Sequence, residues 1–123
     1  MPDESSSSVK IAYFDAGRVR RALNEWAANL VLQHPEVRRI VLFGSIARGD
    51  AVPGSDADLL IVVGESNVPF IERPRIYGLR ILPVGADTFV YTSAELHREL
   101  ESGNRFPRRA LSEGVDLYQE LAG

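Results

Sequence analysis

The chain has 123 residues, 45% hydrophobic and 25% charged, the proportions of a soluble globular protein with room for one core and not two. Its net charge of -3 argues against nucleic-acid binding through bulk charge, and the absence of cysteine excludes disulfides and thiolate metal sites. Two histidines, His34 and His97, are too few for a His-built zinc centre, and no apolar run approaches the ~20 residues of a membrane span.

The opening MPDESSSSVK is acidic and Ser-rich. We expect a disordered tail over 1–9 and a single domain over 10–123. It lacks the basic-then-apolar pattern of a secretory signal, so cytoplasmic residence is expected. From Asp15 the pattern becomes helical. Asp15 suits an N-cap, and Val19, Leu23, Trp26, Ala27, Leu30 and Val31 make one apolar face. Arg18, Arg20 and Arg21 fall off that face and read as solvated. Pro35 disfavours helical geometry in His34, which ends the helix near Gln33.

VRRIVLF, residues 37–43, reads as a strand. Residues 44–55 are turn-rich, with room for a short helix over 45–49. DLLIVV, residues 58–63, is apolar on both faces, so it is expected to be central and covered on both sides. Residues 65–83 are interrupted by Pro69, Pro74, Gly78 and Pro83. A broken helix is expected there, with Phe70, Ile71, Tyr77, Leu79 and Leu82 buried. ADTFVY, residues 86–91, is a third strand. Thr92-Ser93-Ala94-Glu95 fits a capping box that opens a helix to about Ser102, with Gly103 as its C-cap. A last helix near 106–112 and a short edge strand at 115–118 complete the order. The fold class is α/β (α+β): a small mixed sheet of three to five strands flanked by helices.

The chemistry concentrates in VLFGSIARGDAVPGSDADLLIVV, residues 41–63. Alternate strand residues share a face, so Asp56 and Asp58 would aim two carboxylates at one spot. Their repulsion raises one pKa unless a cation is shared. Oxygen-only donors favour Mg²⁺ or Mn²⁺, and Mg²⁺ takes one or two carboxylates plus water and substrate phosphates. Asp87 opens the third strand as Asp58 opens the second. If those strands are neighbours, three carboxylates meet at one sheet edge, enough for two metals about 3.5–4 Å apart.

Gly44-Ser45 ends a strand and opens a turn or helix, where glycine allows close approach and free amides bind phosphate. The Ser45 hydroxyl adds a donor, and Arg48 lies one turn on. Gly44 and Gly49 have Walker A spacing, but Asp50 stands where lysine is needed, so a kinase-type loop fails. Taken singly, Gly-Ser is a turn, Asp-x-Asp a cap, and Asp87 the cap of a strand. The joint order (strand, Gly-Ser, ten residues, Asp-x-Asp, strand, Asp-strand) is what makes the pattern informative.

That order resembles the signature of the minimal nucleotidyltransferases of the DNA polymerase β superfamily. The resemblance spans about residues 37–120 and takes in ADTFVYTSAEL and RRALSEGVDLY. It implies that Gly44 and Ser45 hold a nucleoside triphosphate, that Asp56 and Asp58 bind the metals, and that Asp87 binds one metal and helps deprotonate an acceptor hydroxyl. Short members of this kind often pair with HEPN-domain proteins, commonly ribonuclease toxins, and some of these antitoxins transfer AMP from ATP to a tyrosine of the toxin. The resemblance therefore implies an antitoxin-like, protein adenylyltransferase-like enzyme that uses ATP or another NTP and forms a hetero-oligomer with a HEPN-domain partner. Two alternatives stand beside it. One is a non-catalytic antitoxin that masks its partner. The other is a transferase acting on a small molecule, as in aminoglycoside nucleotidyltransferases, which usually carry an extra helical domain.

The remaining features read plainly. Thirteen of the fourteen basic residues are Arg, which fits codon composition first and phosphate or carboxylate recognition second. Trp26 reads as core. Arg108-Arg109 and His97 read as surface, and Tyr77, Tyr91 and Tyr118 as half-buried.

Overall fold

The computed structural model describes residues 15–79 and 86–121. The expected tail over 1–9, Leu82 and part of the interrupted region lie outside these. Helix α1 is Ala16–Gln33, and the Asp15 carboxylate accepts a hydrogen bond from the Arg18 amide at 3.0 Å. Strand β1 (Val37–Phe43) runs into a five-residue helix α2 (Gly44–Arg48). Strand β2 is Ala57–Val63. A 3-10 turn (Phe70–Glu72) and the short α3 (Pro74–Tyr77) follow, then β3 (Ala86–Thr92). Helices α4 (Ser93–Glu101) and α5 (Arg105–Glu113) lead to β4 (Val115–Gln119). The capping box at Thr92 and Glu95 forms with both of its hydrogen bonds, and Gly103, at φ +84, follows the helix end.

The sheet order is β3-β2-β1-β4. Strand β1 is antiparallel to both β2 and β4, and β2 is parallel to β3. The sheet is therefore mixed, as expected, with β4 at one edge. Successive strand residues alternate between two covered faces. On one face Ile40, Leu42, Leu59, Ile61, Val63 and Val90 pack under Val19, Leu23, Ala27 and Leu30 of α1. On the other Val41, Leu60 and Val62 pack under Ala110, with Phe43, Tyr91, Leu96 and Leu111 alongside. Double coverage explains the continuous apolar run of β2. Trp26 packs partly buried against the first core.

Two expectations are corrected. Phe70 and Ile71 are exposed, Ile71 by 84%. The broken helix is too short to bury both of its faces, and the buried members of that segment are Tyr77, read from the sequence as half-buried, and Arg73. Its Nε and Nη1 donate to the Val68 and Val90 carbonyls, and its guanidinium pairs with Glu95. Arg20 is only half solvated, and its Nε is buried with no hydrogen-bond partner among the described residues.

Candidate functional site

The strand register decides which candidates meet. Phe43 faces Asp58 across the antiparallel β1–β2 pair, and Asp58 faces Asp87 across the parallel β2–β3 pair. The C-terminal end of β1 and the N-terminal ends of β2 and β3 thus lie side by side. Asp58 shares a sheet face with Leu60 and Val62, the face that α4 and α5 cover. Asp56 sits one residue before β2 and is exposed. Its strand-type alternation with Asp58 is therefore not observed, although its charge still reaches Asp58.

Gly44 is fitted to this edge in two ways. Its φ is +82, in the left-handed region, and a Cβ built on it would stand 2.1 Å from Oδ2 of Asp58. The absent side chain is what lets the turn after β1 press against the Asp58 carboxylate. Burial, then the charges of Asp87 and Asp56, push the Asp58 carboxyl above the ordinary carboxylate range. Arg48 opposes them. The Ser45 carbonyl accepts the amides of Gly49 and Asp50, closing α2, and Arg48 Nε reaches Asp50 at 3.3 Å.

Gly44, Arg48 and Asp58 line a cavity of about 300 Å³. Phe43, Phe89 and Phe106 form another of its walls, with ring centroids 4.8 to 6.4 Å apart. Arg109, Ala110 and Glu113 of α5 complete it. Sequence reasoning missed these lining residues and set Arg109 aside as surface. A signal was present: Phe106, Arg109, Ala110 and Glu113 fall at i, i+3, i+4 and i+7, one helical face.

A nucleotidyltransferase domain model matches residues 24–111, which contain α2, β2, β3 and every lining residue except Glu113. The chain belongs to the nucleotidyltransferase domain family. The family assignment agrees with two solved structures. One is a "putative nucleotidyltransferase" from Sulfolobus solfataricus, 20% identical, with a TM-score of 0.60 over 85% of this chain and 83% of that one. The other is a toxin-antitoxin complex with AMP-PNP, 19% identical, with a TM-score of 0.53 over 78% of this chain and 73% of that one. At these identities the likeness is one of fold. No curated protein matches the sequence.

The donors at the sheet edge of this nucleotidyltransferase domain are carboxylate oxygens, the set a hard divalent cation prefers. Among the described residues no group of three His, Cys, Asp or Glu is gathered closely enough to hold a metal ion on its own. No described helix is long and apolar enough to cross a membrane.

Proposed function

We propose that the chain is a metal-dependent nucleotidyltransferase that moves a nucleoside monophosphate, AMP from ATP in the first instance, to a hydroxyl of a macromolecular acceptor. One observation carries the reading: Gly44, Asp58 and Asp87 stand together where β1 ends and β2 and β3 begin. The bare backbone at Gly44 lets the turn after β1 sit directly against Asp58 at the wall of the cavity. The Ser45 hydroxyl and the Arg48 guanidinium hold the triphosphate, the planar fork suiting phosphate oxygens. Asp87 takes the proton of the acceptor hydroxyl as that oxygen forms a bond to the α-phosphorus. The bond from the α-phosphorus to the α,β-bridging oxygen breaks, and pyrophosphate leaves. Asp58 and Asp87, with Asp56 beside them, would hold Mg²⁺ or Mn²⁺ together with water and the substrate phosphates, and the ion would offset the charge of the phosphates. The chain itself contributes position and charge stabilisation, with no covalent enzyme intermediate.

For the acceptor we propose a HEPN-type toxin, with the chain acting as its antitoxin. The structural neighbour described as a toxin-antitoxin complex with AMP-PNP supports this. So do the apolar side chains of Phe70, Ile71 and Ile76, exposed on the segment between β2 and β3. The same two observations favour a second reading, an antitoxin that masks its partner without chemistry.

The deciding experiment uses ATP labelled at the α- or the γ-phosphate, with Mg²⁺ and cell lysate, and Asp58→Asn as control. The proposal expects label from α only, on a macromolecule, lost in the variant. Label from γ alone would mean phosphoryl transfer and would end the proposal. No label from either, with no rise in melting temperature on adding Mg-ATP, favours masking, because a ligand that binds only the folded state must stabilise it.

A further inference from the structure

We propose that Arg109 is a second phosphate-gripping cation, acting from α5 on the β- and γ-phosphates as Arg48 does from α2. The inference rests on the reading of the cavity as the nucleotide site. Helix α5 carries three arginines, Arg105, Arg108 and Arg109, and the last alone lines the cavity. It shares one helical face with Phe106, Ala110 and Glu113, and that face meets Gly44, Arg48 and Asp58 across the space. Arg108 turns away, and its Nη2 donates to the Leu100 carbonyl at 3.1 Å.

The two cavity arginines are held in the same manner. Arg48 Nε donates to Asp50 at 3.3 Å, and Arg109 Nε donates to Glu113 at 3.0 Å. Neither guanidinium makes another hydrogen bond to the described residues, so both keep their terminal amino groups for a ligand. An arginine tethered through Nε presents a planar fork matched to two phosphate oxygens, and the tether reduces the rotamer freedom lost on binding. The phenyl wall makes one side of the space apolar. Arg109 is also a poor candidate for a structural role. Its side chain is 76% exposed, and an exposed i,i+4 pair contributes little to stability. A guanidinium placed here, with little work to do for the fold, fits the group that departs as pyrophosphate.

The test is titration calorimetry of the whole chain with inorganic pyrophosphate, ATP and AMP, each with Mg²⁺. Arg109→Ala should weaken pyrophosphate and ATP by roughly ten- to a hundred-fold, the loss of hydrogen bonds to a charged group, and leave AMP unchanged. Arg109→Lys should fall between, because it keeps the charge and loses the fork. Glu113→Gln should weaken pyrophosphate less than Arg109→Ala, and melting temperatures should stay level throughout. Wild-type pyrophosphate affinity in Arg109→Ala would overturn the assignment and leave the transferase reading intact. Equal loss of AMP and pyrophosphate would also overturn it, since the cavity would then serve the nucleoside. Failure of the wild-type chain to bind either ATP or pyrophosphate would bring down the transferase reading and this assignment together.

Discussion

Gly44 and Asp58 are in such close apposition that a single methyl group on the glycine would stand 2.1 Å from Oδ2 and 3.0 Å from Cγ of the aspartate. The backbone at Gly44 also has a φ of +82, which side-chain-bearing residues rarely adopt. Gly44→Ala should therefore carry two separable penalties. The left-handed backbone costs about 1–2 kcal/mol, and Asp58 must rotate out of its position. Denaturant unfolding reads both together, and transfer activity reads the second. We expect a modest loss of stability with activity near background. In an Asp58→Ala background the methyl meets no carboxylate, so Gly44→Ala should then cost only the backbone part. Full additivity of the two substitutions would refute the contact.

Asp58 itself is held against its own charge. Burial and two neighbouring carboxylates raise its pKa above the 3.8 of a free aspartate. A carboxyl with a raised folded-state pKa contributes its full stability below the unfolded value and loses it as pH rises through the folded value. Asp58→Asn removes that loss. The variant should melt higher than the wild type at neutral pH without ligand, and the difference should vanish below about 3.8. Its transfer activity should be lost at every pH. A variant that melts lower at neutral pH would show that Asp58 is stabilised, and not strained, by its surroundings.

The sequence made the strands, the helix caps and the central pattern readable, because each rests on local rules. Asp15 caps α1 from one turn away, and Thr92 with Glu95 closes a box within four residues. The alternation in β1 and β2 follows from two covered faces. Gly44, Asp58 and Asp87 could be nominated from order alone, but their meeting depends on the parallel β2–β3 register, a long-range fact. The α5 side of the cavity was harder. Arg109 and Glu113 look like any solvated i,i+4 pair until α5 is laid beside α2. Arg73 was not nominated at all, for a related reason: its carboxylate partner is 22 residues away, so nothing local marks it as buried.

The Arg73–Glu95 pair should govern acid stability. Arg73 is 4% exposed, and its Nη2 meets Glu95 Oε2 at 3.0 Å. The guanidinium first, and then the Thr92 amide, hold Glu95 down at about 2 against a usual 4.5. A depressed carboxyl pKa contributes stability above the unfolded value, here 4.5, that is lost as pH falls through the folded value near 2. Glu95→Gln should lose about 2–3 kcal/mol at neutral pH, because it leaves a buried guanidinium without its counter-charge. Glu95→Ala should lose about 1 kcal/mol more, since the capping box goes as well. Urea unfolding at neutral pH and at about pH 2 checks both parts. A loss that does not shrink on acidification would mean that the charge is not what matters.

Tyr77 and Glu36 make a contact whose strength should depend on pH from both sides. The buried Tyr77 hydroxyl donates to Glu36 Oε2 at 2.6 Å and ties α3 to the residue just before β1. Burial first, and the adjacent carboxylate second, push the phenol up to about 12. The same hydrogen bond is the main cause holding Glu36 below 4.5. Tyr77→Phe keeps the ring against its neighbours and removes the donor, so it should cost about 1.5 kcal/mol at neutral pH, as for a hydrogen bond to a charged group. On the acid side, Glu36 contributes above 4.5 and stops contributing as it takes up its proton in the folded chain. On the alkaline side, the raised phenol contributes fully below 10, and that contribution is lost as pH rises through about 12. The stability difference between wild type and Tyr77→Phe, followed by urea unfolding across pH, should therefore trace a plateau that falls away at both ends. A difference that is flat with pH would show that the variant acts through packing and not through this hydrogen bond.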